Sequence, residues 1–178
     1  MPNSKSIIAY FSREGNNYVA GSVVNLAVGN TEVIAKKIQE LTGSDLFKIK
    51  TVKTYPEGYK EATRVAQAEL RENSRPELTD KVADMVNYDI VYIGYPIWWG
   101  TMPMAICSFI ESYDFSGKMI VPYCTHEGSG MGSSERDIKK ICPSAKMLSG
   151  LAIRGSNVSK SDKDVANWLR NLGLIPKS

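Results

Sequence analysis

Hydrophobic and polar positions fall into two recurring patterns along the chain. Short apolar runs rich in β-branched and aromatic residues occur at Lys5–Phe11 (KSIIAYF) and Asp89–Tyr95 (DIVYIGY), and both predict buried strands. Asp45–Ile49 (DLFKI) alternates as a strand does, and Lys118–Cys124 (KMIVPYC) and Lys146–Ile153 complete a set of five. Pro122 is awkward within the fourth, because proline cannot donate to a ladder. Helical spacing fills the intervals. Thr31–Leu41 carries Val33, Ile34, Ile38 and Leu41 on one face, with Gly43 as a stop. Tyr59–Glu72, Met102–Tyr113, Ser133–Ile141 and Ser161–Leu172 predict further helices, and Asp80–Val86 a short one. Ser161 is placed to cap the last helix, and Gly173 lies past its end.

Strands alternate with helices from one end to the other, and the strands are continuous apolar runs. That pattern predicts an α/β fold with a five-stranded parallel sheet covered on both faces. With no repeats, low-complexity segments or linkers, residues 1–178 read as a single doubly wound domain. Such sheets bind ligands beyond the carboxyl ends of their strands.

Bulk composition narrows the function without naming it. With 43% hydrophobic and 23% charged residues, the chain reads as globular. Its net charge of +3, from 22 basic and 19 acidic residues, is too small and too scattered for a nucleic-acid partner. The opening MPNSKS lacks a signal-peptide pattern, and the longest apolar run, Ile90–Trp99, is about half of the ~20 residues a membrane helix needs. Cys107, Cys124 and Cys142 are far apart and odd in number, so they read as unpaired thiols and support neither a zinc site nor a disulfide framework. These features predict a cytoplasmic protein with no membrane partner.

The strand ends hold the candidate chemistry. After the first strand comes S-R-E-G-N-N, then an insertion, then V-G-N-T-E opening the first helix. Asn30 reads as its N-cap. The unpaired N–H groups and helix dipole there suit an anion, and Ser12, Asn30 and Thr31 add donors without charge. A plain capped helix start would look the same. Both G-x-G-x-x-G and G-x-x-x-x-G-K-[ST] are absent, as are the carboxylates of a phospho-acceptor domain. After the third strand comes P-I-W-W-G-T-M-P. Neighbouring residues of an extended chain point opposite ways, so Trp98 and Trp99 cannot both face one core. At least one indole therefore lies in a loop with something flat to cover. After the fourth strand comes T-H-E-G-S-G-M-G, whose glycines let backbone N–H groups approach a ligand. His126, the single histidine, has no catalytic partner in sequence and reads more readily as a hydrogen-bonding or exposed group. Together these loops describe a pocket for a flat aromatic phosphate ester.

The segments I-I-A-Y-F-S, G-N-T-E, Y-P-I-W-W-G and T-H-E-G-S-G resemble the flavodoxin family, over roughly Lys5 to Leu172. The nearest subgroup carries an insertion before G-N-T, here Arg13 to Val28. The resemblance implies strand order 2-1-3-4-5 and a non-covalent flavin mononucleotide (FMN). It implies that Ser12, Asn30 and Thr31 hold the phosphate with Arg13 nearby. It also implies that Pro96, Ile97, Trp98, Trp99 and Gly100 line the ring, with Trp99-Gly100 as the peptide that can turn toward it. Thr125, His126, Glu127, Gly128, Ser129 and Gly130 would close over the pyrimidine edge.

The function implied is electron carriage between redox partner proteins. The alternative is an FMN-dependent NAD(P)H oxidoreductase acting on a quinone, another flavin or a similar small acceptor. A scaffolding module with a lapsed pocket is a third reading, against which the intact loops argue. Many electron-shuttle flavodoxins are strongly acidic; this chain is slightly basic, which weakens the shuttle reading and leans toward the reductase.

Overall fold

The computed structural model describes residues 4–177, so Met1–Asn3, part of the signal-peptide reading, lie outside the described residues. The chain opens with β1 (Ser6–Tyr10), followed by an antiparallel hairpin of β2 (Gly15–Val19) and β3 (Ser22–Leu26). Then come α1 (Asn30–Thr42), β4 (Asp45–Lys48), α2 (Tyr59–Arg71), β5 (Ile90–Pro96), α3 (Met104–Glu111), β6 (Met119–His126) and α4 (Ser134–Ile141). Two short strands, β7 (Lys146–Met147) and β8 (Leu151–Arg154), and helix α5 (Asp162–Asn171) complete it.

The main sheet is parallel, in order β4-β1-β5-β6-β7, with β8 also on β6. Counting β7 and β8 as one interrupted position, this is the expected order 2-1-3-4-5. Alternate residues of each run serve different cores. Ile7, Ala9 and Phe11 join Ile93, Tyr95 and Phe109 on the face covered by α3 and α4. Ile8 and Tyr10 join Ile34, Ile38, Val165 and Leu169 under α1 and α5. Burying each such aliphatic side chain contributes roughly 1.5–3 kcal/mol, which is why the strands are apolar throughout.

The fifth strand breaks where Pro122 predicts trouble. Ile120 O accepts the Leu148 N–H at 2.9 Å, which points the next residue of the same parity, Pro122, at that partner. Proline has no N–H to return, so pairing lapses until Tyr123 meets Leu151. Gly150 sits in the gap and gives its N–H to Glu135 Oε2 at 3.0 Å.

Three other expectations change. Asp80–Val86 is not a helix; only a 3₁₀ turn forms at Met85–Asn87. The buried Lys118 ammonium explains this, donating to Met85 O at 2.8 Å and Tyr88 O at 2.5 Å, while Val82 N–H goes to Tyr113 Oη at 2.8 Å. Those backbone groups are held by side chains rather than by helical neighbours. The N-cap of α1 is Gly29, with Asn30 its first residue. Ser161 does precede α5, but its hydroxyl turns back to Val158 O at 2.6 Å and caps nothing.

Candidate functional site at the strand carboxyl ends

Three crossing contacts place the start of α1. Tyr123 lies across Gly94, where any Cβ would strike its ring, and its hydroxyl donates to Thr31 O at 3.2 Å. Ser12 Oγ, at the end of β1, accepts the Glu32 N–H at 3.1 Å. Gly29 runs so close to β1 that an added Cβ would come within 2.8 Å of Arg13 O. Ser12 therefore serves as the missing cap from the loop after β1 and does not line the cleft. The Asn30 and Thr31 amides have no intrahelical partner, because they open the helix. The buried Thr31 Oγ1 lies 2.9 Å from Thr125 Oγ1. Glu32 faces away, toward Lys48 at 2.9 Å and Lys36 at 3.3 Å. Burial pushes its carboxyl up, but the two lysines overcome that and hold it below the ordinary value.

Arg13 is a clamp. Its guanidinium donates to Asn16 O, to Pro56 O at 2.9 Å and to Glu57 O at 2.8 Å, which joins the hairpin to the segment before α2. It lines the cleft with three of its donors already engaged.

The insertion is the β2–β3 hairpin, and it arches over the strand ends. Ala20 (φ +52°) and Gly21 (φ +87°) make its two-residue turn. From it, Tyr18 stacks on Tyr59 of α2 with ring centroids 5.9 Å apart, and the Ala20 N–H donates to Glu127 Oε2 at 3.2 Å. The hairpin thus spans from α2 to the glycine-rich loop. Neither Asn17, Tyr18, Tyr59 nor Gly155 is a sequence-predicted site residue, yet all four line the cleft. The sequence signal for Tyr18 is weak: its strand, Gly15–Val19 (GNNYV), holds a glycine and two asparagines, which disfavour strands, and Ala-Gly is not a usual hairpin pair.

The paired tryptophans diverge, as their adjacency requires. Trp98 is packed edge-on against Phe11 at 5.2 Å and Tyr55 at 5.1 Å. Trp99 is 52% exposed. Its backbone is left-handed (φ +54°), as is Gly100 (φ +85°), and Trp98 and Thr101 close the turn with N–H···O bonds of 2.8 and 3.3 Å. Asp137 Oδ2 anchors the turn to α4, accepting from Thr101 Oγ1 at 2.7 Å and Ser133 Oγ at 2.8 Å.

In the glycine-rich loop, Gly128 N–H donates to His126 Nδ1 at 2.9 Å, so the imidazole is neutral on that nitrogen. Burial, with Arg154 adding to it, holds His126 below its ordinary pKa, and Glu127 opposes them. Gly128 (φ +143°) takes a backbone conformation that other residues resist. Gly155 faces this loop, and a Cβ there would lie 3.0 Å from Asn30 Nδ2.

These parts enclose a cleft of about 530 Å³. Asn30, Thr31 and Arg13 border it at the helix start; Pro96, Ile97, Trp98, Trp99 and Gly100 at the turn; and Thr125, His126, Glu127, Gly128 and Ser129 at the loop. Gly130 stands outside, its carbonyl accepting the Cys124 thiol at 3.5 Å. Among the described residues no helix is long and apolar enough to cross a membrane.

The family model described as Flavodoxin matches residues 5–172. The chain belongs to the flavodoxin family. The solved structures similar to this chain include a candidate flavoprotein of Bacteroides eggerthii, 29% identical over 96% of this chain and 99% of that one, with a TM-score of 0.76. Another from Bacteroides uniformis is 27% identical over 94% and 98%, with a TM-score of 0.72. A flavoprotein of Lactobacillus acidophilus, solved in complex with FMN, is 21% identical over 88% and 97%, with a TM-score of 0.65, a likeness of fold. No curated protein matches the chain.

Proposed function

We propose that this protein binds FMN without a covalent link and carries electrons between redox partners. One observation carries the reading: the 530 Å³ cleft joins a helix-start anion cradle, an aromatic turn and a glycine-rich loop at neighbouring strand ends. The donor set suits a phosphate, since the helix start offers free amides, a positive dipole end and the Thr31 hydroxyl. Asn30 and Thr31 would hold the phosphate, and Ile97 and Trp99 would wall the ring. The backbone of Glu127–Ser129 would meet its polar edge. Bound FMN supplies a ring that takes up one or two electrons. The chain's own part is to orient that ring, to keep water from it with Tyr18 and Tyr59, and to depress its potential with apolar walls.

The test is titration of the apoprotein with FMN and with riboflavin, followed by anaerobic addition of NADPH and then dithionite, read by visible absorbance. One FMN per chain, tighter than riboflavin, with bleaching by dithionite alone, supports the carrier. A protein that ignores FMN overturns the reading. A second reading, delivery of flavin electrons to a small acceptor, is favoured by the space of about 400 Å³ that continues the cleft between α2 and the same turn.

A further inference from the structure

The β2–β3 ribbon is held along one edge only. Ala20 and Gly21 form its two-residue turn with both φ angles positive, so Val19 and Ser22 exchange the first pair of N–H···O bonds. Such pairs recur at every second position of an antiparallel ladder, here at Asn17–Val24 and Gly15–Leu26. The N–H and C=O groups of the residues between them point out of the ribbon: Asn16 and Tyr18 along β2, Val23 and Asn25 along β3. The β2 edge lies against the body of the protein, where Asn16 O accepts from Arg13 and Tyr18 stacks on Tyr59. The β3 edge is open. Apart from the ladder with β2, no hydrogen bond engages Ser22–Leu26 among the described residues, and Ser22 to Asn25 are exposed in succession.

Open edges are ordinarily guarded by a lysine, a proline or a bulge, because unpaired N–H and C=O groups attract another strand. This one has no such guard. No charged residue and no proline occurs from Gly15 to Thr31, in a chain of which 23% is charged. Val23 is 53% exposed and Val24 36%, on opposite faces of the ribbon. The strand thus presents apolar side chains and unpaired backbone groups together.

We infer that β3 is an interface to a second copy of this chain: two β3 edges pair antiparallel about a two-fold axis at Val24 and make a four-stranded ribbon. Parity sets the register. With Val24 opposite Val24 of the second copy, Val23 stands opposite its Asn25, and Asn25 opposite its Val23. Both are pairs of outward-pointing residues, so every free N–H and C=O on the two edges is used. A shift of one residue sets outward groups against inward ones and forms none of these bonds. Centring the axis on Val23 or on Asn25 puts the other of the two opposite Gly21 or Ala27, outside the strand. At the axis the two valines meet as a close, non-hydrogen-bonded apolar pair. Neutrality favours a copy over a foreign strand. Two copies present the same charge to each other, and an edge without charge does not repel its own kind; closed two-fold pairing is also the commonest mode of self-association. Five residues of edge bury less than the ~800 Å² per partner of a standard interface, so the dimer belongs to the weak, concentration-dependent class. Asn17 and Tyr18 reach the FMN cleft from the other strand of the ribbon, so pairing stiffens the cover over that cleft. This consequence rests on the FMN reading; the pairing does not.

The experiment is sedimentation velocity of the full chain, with and without added FMN, at concentrations up to about 1 mM. The expected result is a sedimentation coefficient that rises with concentration toward that of a dimer. Val24→Lys sets two ammonium groups opposite each other, and Asn25→Pro removes one outward N–H and no ladder bond. Each should raise the dissociation constant at least tenfold, with circular dichroism and thermal melting like the parent's. Val24→Cys should cross-link to its copy under diamide, because Cα atoms in such a pair are about 4.5 Å apart, within disulfide reach. Cys107, Cys124 and Cys142 are buried and do not compete. Val23→Cys, diagonal across the axis, should cross-link at least tenfold more slowly. A chain that stays monomeric throughout leaves β3 to a foreign strand and overturns the second copy. A dimer that both folded variants leave intact, or equal cross-linking at positions 23 and 24, overturns the Val24-centred pairing. Such a dimer in a protein that never binds FMN overturns the flavin reading and leaves the pairing standing.

Discussion

The Trp99 indole N–H donates to the carbonyl of Thr63 at 2.9 Å, tying the exposed half of the tryptophan pair to α2. With φ at +54°, Trp99 stays in an unfavourable backbone region for the sake of its side chain. Replacing it separates the two effects. Trp99→Ala removes the stacking surface and keeps the strain, and should weaken FMN binding about tenfold, or about 1.4 kcal/mol. Trp99→Gly should bind FMN as weakly yet be more stable to urea than Trp99→Ala by about 1 kcal/mol, because glycine adopts this conformation without a Cβ penalty. Equal urea midpoints for the two variants would show that the left-handed conformation costs nothing here.

Thr31 is a second separable case. It is buried, its hydroxyl is within 2.9 Å of Thr125, and its amide belongs to the open first turn of α1. A hydroxyl bonded to a charged group contributes about 1.5–3 kcal/mol. Thr31→Ala should therefore weaken FMN at least tenfold and riboflavin much less, since riboflavin lacks the phosphate. Thr31→Ser should restore most of the difference. Fluorescence titration of both flavins settles it, and equal losses would move the phosphate away from α1.

Much of this architecture was legible because its strands are buried on both faces. Ile7–Phe11 and Ile90–Tyr95 leave no polar residue to mislead the pattern, and the strand order follows from the family resemblance. What escaped depends on long-range partners. Nothing local to Asp80–Val86 reveals that Lys118 will take the Met85 and Tyr88 carbonyls. Asn30 reads as a cap from its own chemistry, yet Ser12, 20 positions before Glu32, supplies the hydroxyl that accepts the Glu32 N–H. Pro122 did carry its warning, but the strand it breaks is its neighbour's. In the cleft, the loops that follow strands were readable, whereas Tyr18 and Tyr59 matter only because a hairpin folds them together.

His126 makes the glycine-rich loop sensitive to acid. Its Nδ1 must be unprotonated to accept the Gly128 N–H, and burial with Arg154 holds its pKa below the ordinary 6.5. The folded protein thus binds fewer protons here than the unfolded chain. The stability this provides is present in full above the unfolded value and is lost as pH falls through the lower folded one. Thermal melts of the apoprotein between pH 7.5 and 5 should show a falling midpoint. His126→Asn, which retains an acceptor but does not titrate, should flatten that part of the curve. Identical profiles for parent and variant would remove His126 as the cause.

The hairpin's hold on the site hangs on a few contacts. Two strands alone are marginal in water, so β2–β3 relies on its anchors: Arg13 to Asn16 O, Tyr18 on Tyr59, and Ala20 N–H to Glu127. The last of these is at the tip, where the chain crosses to the glycine-rich loop. Glu127→Ala should release that tip, speeding amide exchange at Ala20 and FMN dissociation several-fold. Global stability should change by no more than about 0.5 kcal/mol, because the contact is exposed. Glu127→Gln keeps an acceptor oxygen and should give an intermediate rate, and Tyr18→Ala should add to the effect from the other end. Stopped-flow dissociation and hydrogen exchange report on the two events separately. Faster exchange with an unchanged dissociation rate would mean that the hairpin moves without covering the flavin.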